Sequence, residues 1–133
     1  MARGTLDAVG LVVGDLVRSI RFYRVLGAPF PEGAEGSEHG HAEAELAGGF
    51  RLMLDTEDEM RSFDPEWKPP TGNPRAAIAF RCDSAADVDA LYAEALKAGA
   101  SVHKEPWDAF WGQRYAQLRD PDGNAVDLYA SLA

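Results

Sequence analysis

Asp120-Pro121-Asp122-Gly123-Asn124 separates two runs of alternating side chains, Tyr115-Ala116-Gln117-Leu118 before it and Ala125-Val126-Asp127-Leu128-Tyr129 after it. Pro121 presets φ, and Gly123 reaches the positive φ that a tight reversal needs, so this segment predicts a hairpin turn. A period of two marks half-buried strands, with one face packed and the other turned toward something more polar. Just upstream, Trp107, Phe110 and Trp111 lie between Pro106 and Gly112. Trp107 and Trp111 share parity while Phe110 does not, which suits a loop or bulged edge rather than a regular strand.

Upstream of the hairpin, a short strand is expected near Ser101 to Lys104. Ala76 to Cys82 reads as another, with Ile78, Phe80 and Cys82 on one face and Ala77, Ala79 and Arg81 on the other. Ser84 caps a helix with Asp87 at the capping-box position, Val88, Leu91, Tyr92, Ala95 and Leu96 form its apolar stripe, and Gly99 ends it. The same succession occurs earlier in the chain. Leu6 to Val13 reads as a strand, and Asp15 caps a helix whose apolar positions are Leu16, Ile20, Tyr23 and Leu26, closed by Gly27. Pro29 to Gly40 is expected to be an exposed loop. His41 to Leu46 and Phe50 to Asp55 read as strands joined through Gly48-Gly49. Ala8 corresponds to Ala77 and Asp15 to Ser84, both pairs 69 positions apart. Two copies of a unit that cannot bury its sheet alone are expected to pair into one domain over 1–133. The first module covers about 4–55 and the second about 75–131. Between them, Thr56 to Pro74 has no periodicity and holds Pro65, Pro69, Pro70 and Pro74. It reads as a linker loop or binding flap, with Phe63 and Trp67 packed against the fold.

A chain of 133 residues, 46% of them hydrophobic, can bury a sizeable core. No apolar run approaches the ~20 residues of a membrane span, and no signal peptide is evident. A single cysteine, Cys82, allows no internal disulfide and suits a reducing cytoplasm. The net charge of −9 argues against nucleic acid as a partner, because phosphate binding needs a basic surface.

Trp111-Gly-Gln-Arg-Tyr115 followed by Asp120-Pro-Asp-Gly-Asn-Ala-Val-Asp-Leu128 resembles the C-terminal signature of the vicinal oxygen chelate superfamily. That superfamily holds glyoxalase I, extradiol dioxygenases, fosfomycin-resistance enzymes and bleomycin-resistance proteins. With the repeat, the resemblance spans nearly the whole chain. It implies an α+β fold of two tandem βαβββ modules, with curved sheets around a concave cavity, helices outside, and a homodimer. The family's metal enzymes hold a divalent ion with a His early in the first strand and a Glu in the last strand of each module. Here those positions carry Ala8 and Ala77, and Met53 and Asp127. Alanine and methionine offer no ligand to a hard cation, and one carboxylate does not make a site, so no metal and no other cofactor is expected. The Trp-Gly-x-x-Tyr spacing is most similar to the metal-free bleomycin-resistance branch, which implies sequestration of a small molecule and antibiotic resistance.

The small residues Ala8, Gly10, Ala77 and Ala79 are expected to leave space on the cavity face. Met53, Trp107, Phe110, Trp111, Tyr115 and Tyr129 are candidates to line it, and Arg51, Arg81, Gln117 and Asp127 to supply its polar contacts. Arg81 and Asp127 are equally readable as a structural ion pair. His39, His41 and His103 are the only imidazoles; His41 shares parity with Glu43 and Glu45, which also suits a solvated strand face. Three functions follow. The first is binding of a flat or aromatic small molecule. The second is a metal-independent enzyme using Tyr115 or Asp127 as acid or base. The third is a metal enzyme whose ion is held by other groups, such as His41 and Asp127.

Overall fold

The computed structural model describes residues 2–133. The chain is α+β and divides into two compact units, one ending at Lys68 and the other beginning at Pro69.

The first unit runs β1 (Ala8–Val13), α1 (Leu16–Val25), β2 (His41–Glu45), β3 (Arg51–Thr56) and α2 (Glu57–Phe63). Its sheet has the order β1-β3-β2, with β1 parallel and β2 antiparallel to β3. Asp15 caps α1 by accepting from the Arg18 N–H at 3.0 Å, which satisfies one of the donors left free in a first helical turn. Leu16, Ile20, Phe22 and Tyr23 are buried on α1, as are Val13, Ala42, Ala44, Leu52 and Leu54 on the strands. These form the core of the unit.

The second unit runs β4 (Ala77–Arg81), α3 (Ala85–Lys97), β5 (Ser101–Ala109), β6 (Gln113–Arg119) and β7 (Ala125–Ser131), with sheet order β4-β7-β6-β5. Ser84 caps α3 through the Asp87 N–H at 3.2 Å. One face of the sheet, carrying Ala116, Leu118, Val126, Leu128 and Ala130, is buried together with Val88 and Ala95 of α3. The turn from 120 to 124 closes the β6–β7 hairpin. The buried Asp120 carboxylate accepts from the N–H groups of Asp122 and Asn124, both at 2.8 Å, and from the Asn124 amide at 2.9 Å. Gly123 sits at φ 92°, where a Cβ would be strained.

Three features refine the expectations. First, the first sheet has the three strands read from residues 6–55, one fewer than the second sheet and than the βαβββ pattern of the resemblance. Between α1 and β2, where the second unit has β5, the chain holds Pro29 and Pro31, positive φ at Gly33 and Gly40, and only a 3₁₀ turn at Ala34–Gly36. Proline lacks the N–H that a ladder uses, and left-handed residues break the extended run. Second, the stretch expected as a loop from 56 to 74 begins with α2, capped by Thr56 through the Glu59 N–H at 3.1 Å. Glu57, Asp58 and Glu59 in its first turn favour the positive end of the helix dipole. Seven residues are too few to display a helical period, and the prolines beyond them dominate the pattern. Trp67 packs under the Arg61 guanidinium at 5.4 Å, but Phe63 is exposed rather than tucked in. Third, β5 continues to Ala109, well past Lys104, because register shifts after Val102 and Lys104 absorb the residues that break its alternation.

Candidate functional site

The face of the second sheet turned away from α3 carries most of the sequence candidates in ordered ranks. Cross-strand pairing sets Trp107, Tyr115, Tyr129 and Arg81 abreast, then Lys104, Gln117, Asp127 and Ala79, then Ser101, Arg119, Ala125 and Ala77. In the first rank, Tyr115 and Tyr129 stack at 6.1 Å with 24° between their planes. Trp107 meets Tyr115 edge-on at 5.6 Å. Trp111, in the β5–β6 turn, reaches back to contact Trp107 at 6.0 Å and Tyr115 at 5.4 Å. Its indole N–H donates to Gln113 Oε1 at 2.7 Å. The rings hold each other through offset and edge-to-face contacts, the arrangements that the aromatic quadrupole favours. Trp111 is nonetheless 48% exposed, and Phe110 at the tip of the turn is 97% exposed. Phe110 touches Trp111 alone among these rings and does not enter the rank.

Asp127 is buried to 8% exposure, and its Oδ2 accepts the Tyr115 hydroxyl at 2.6 Å. Burial first, and then the hydrogen bond and charge of Asp127, push the Tyr115 phenol up to about 12. A phenol with that pKa keeps its proton at neutral pH and donates it to the carboxylate. Asp127 makes no ion pair with Arg81, which stands opposite Tyr129 instead. Lys104, not among the sequence candidates, sets its ammonium 4.0 Å from the Trp107 ring centre. The bulges of β5 bring this pair together, and they cannot be read from residue spacing. At the far end of the face, a groove of about 330 Å³ is lined by Asn73, Arg75, His103, Gln117, Arg119 and Asp127, with small residues between them.

The remaining candidates stand on the first sheet. Met53 pairs with Gly10, and its methyl group lies 3.7 Å from where a Gly10 Cβ would be, so it occupies part of the space that the glycine leaves. Arg51 is held by Glu43 at 2.8 Å and by Asp7. Its guanidinium is already committed within the unit. His41 bridges two carboxylates, with Nδ1 at 2.6 Å from Asp55 and Nε2 at 2.7 Å from Glu43. Burial pulls the imidazole pKa down, but the hydrogen bonds to Glu43 and Asp55 outweigh it, so His41 is raised above its ordinary value. Asp55 was no candidate from sequence. The antiparallel register that sets His41 opposite Asp55 is the missing signal.

The residues do not fit a divalent metal. The first-strand positions are Ala8 and Ala77, opposite Arg51 and Ala125. Met53 provides no hard donor, and Asp127 accepts from Tyr115. Both His41 nitrogens face carboxylates, and no group of three His, Cys, Asp or Glu side chains is placed to hold an ion among the described residues.

Residues 5–128 match the family model of the Glyoxalase/Bleomycin resistance protein/Dioxygenase superfamily. The chain belongs to that superfamily. A likeness of 26% identity over 131 residues, covering 93% of this chain and 96% of the other, relates it to the uncharacterized protein YraH of Bacillus subtilis (strain 168). Among solved structures, a glyoxalase/bleomycin resistance protein/dioxygenase family enzyme from Burkholderia phytofirmans PsJN superposes with a TM-score of 0.81 at 21% identity, covering 97% of this chain and all (100%) of that one. A hypothetical protein from S. aureus gives 0.79 at 20% identity, covering 98% and 95%. At these identities the two structures speak for the glyoxalase-type fold of tandem modules alone. Among the described residues no helix is long and apolar enough to cross a membrane.

Proposed function

We propose that this superfamily member binds a flat or aromatic small molecule without a metal, on the face formed by Trp107, Trp111, Tyr115 and Tyr129. The observation that carries this reading is an aromatic cluster that is internally braced yet open, with Trp111 nearly half exposed. A ring system laid on such a surface gains stacking and dispersion without disturbing the core beneath. The polar groups beside it, Gln117 and the Tyr115–Asp127 pair, give that ring a direction. This reading is nearer the bleomycin-resistance type than the metal-dependent enzymes, and the residues at the ligand positions support it. Ala8, Ala77 and Met53 stand where those enzymes need ligands.

The competing enzyme reading needs a group that takes a proton near neutrality. Tyr115 is a poor choice, since its proton is engaged by Asp127 and its pKa lies at about 12. Screening flat aromatic compounds by quenching of tryptophan fluorescence, with each bound compound then examined for chemical change, tests the proposal. Saturable quenching with the compound recovered intact is expected. Conversion of the compound on repeated turnover would replace binding with catalysis.

A further inference from the structure

The second unit of this acidic chain places positive charge where the aromatic face ends. Four arginines elsewhere are neutralised: Arg24 by Glu35, Arg51 by Asp7 and Glu43, Arg61 by Glu57 and Asp58, Arg114 by Asp89 and Asp108. Arg75 and Arg119, which line the groove, have no carboxylate partner among the described residues. Among the described residues the Arg119 guanidinium makes one hydrogen bond, a long one of 3.4 Å to the Leu118 carbonyl. His103 lines the same groove, and Arg81, which has no ion-pair partner among the described residues, stands in the rank of the aromatic rings. Arg75, His103 and Arg119 thus converge on one groove of a chain that carries 22 acidic side chains.

We propose that the ligand of this site carries an anionic oxygen group, a carboxylate or a phosphate, seated in the groove between Arg75, His103 and Arg119 while its flat ring lies against Trp107 and Tyr115. This inference rests on the binding function proposed above and specifies its ligand class. Arginine presents a planar fork of donors that matches both oxyanions. Asn73 and Gln117 add neutral donors at the groove. Spacing follows from strand geometry. Gln117 and Arg119 lie two and four residues beyond Tyr115 on β6, and a strand rises about 3.3 Å per residue. The anionic group therefore sits roughly 7–13 Å from the ring. Asp127 is the one carboxylate lining the groove. It lies in the rank between the rings and Arg119, so it favours a neutral linker bearing an N–H or O–H there and repels an anion placed too close to the ring.

Naphthylbutanoate and naphthylbutanol share ring and linker and differ in charge. Calorimetric titration of the full chain with each compound, repeated on Arg75→Gln and Arg119→Gln, tests the inference. Arg75 is on an exposed loop, so its replacement does not disturb the core. The acid is expected to bind about tenfold more tightly than the alcohol, as one well-placed charged hydrogen bond provides. That preference is expected to shrink several-fold in each variant and with added salt. Equal binding of acid and alcohol by the parent chain overturns the anionic site and leaves the aromatic face standing as a binding surface. A preference that survives both substitutions removes the groove from the ligand's path. If neither compound binds, the aromatic face itself fails, and the anionic site with it.

Discussion

The Tyr115 hydroxyl donates to Asp127 at 2.6 Å along a diagonal of the β6–β7 ladder, because the residue directly opposite Tyr115 is Tyr129 and the one opposite Asp127 is Gln117. The diagonal binds two ranks of the face together. It joins the aromatic rank to the polar one and fixes the tilt of the Tyr115 ring.

That bond has a pH signature. A phenol whose folded pKa is raised from 10.0 to about 12 keeps its proton after the unfolded chain has lost it. Its contribution to stability is complete below pH 10 and declines as pH climbs toward 12. Phenolate absorbance should show one tyrosine ionising near 12, absent in Tyr115→Phe. Four tyrosines all titrating near 10 would remove the hydrogen bond from the account.

The His41 bridge acts in the other window. An imidazole that donates from both nitrogens to carboxylates is an imidazolium, and its pKa lies above the ordinary 6.5. The raised value means that its stabilisation is complete below pH 6.5 and is lost as pH rises through the folded pKa. The stability gap between the parent and His41→Gln should be widest in mild acid and close in alkali. Nuclear magnetic resonance of the His41 ring protons should give a midpoint above 6.5; one at or below it contradicts the bridge.

Asp120 holds the closing turn by accepting three hydrogen bonds while 2% exposed. Asp120→Ala leaves those donors without their acceptor and should cost about 2–3 kcal/mol in urea unfolding. Asp120→Asn, which keeps one carbonyl oxygen, should cost less. Equal stability of all three proteins would show that the turn closes without this carboxylate.

The strand and helix pattern was legible where local chemistry decides it. Asp15 and Ser84 cap their helices, Gly27 and Gly99 follow them, and Asp120 to Asn124 makes the hairpin. Helix α2 was obscured because its short length and the prolines beyond it hide its period. Tyr115 and Trp107 were legible as candidates through parity and residue type. Their partners were harder to see. Asp55 beside His41 and Lys104 beside Trp107 depend on cross-strand register, which a one-residue bulge resets and which no single strand encodes. Met53 and Arg51 were named for the face they occupy, but the residues beside them, Gly10 and Glu43, determine what they touch.

A metal-free site also has a direct check. Protein purified without chelators or added metal should contain far less than one zinc, nickel, iron or manganese ion per chain by elemental analysis. About one ion per chain, lost in Asp127→Ala, would reverse the assignment made from Ala8, Ala77 and Met53.

The aromatic face is tested most directly by measuring naphthylbutanoate affinity and melting temperature on the same samples of Trp107→Ala and Trp111→Ala. Stacking on one aromatic ring contributes roughly 1–3 kcal/mol, so each loss should weaken binding by about tenfold to a hundredfold. Trp111, at 48% exposure, should lose affinity with little change in melting temperature. Both variants melting far below the parent, with affinity intact in the protein that remains folded, would mean that the rings support the fold and bind nothing.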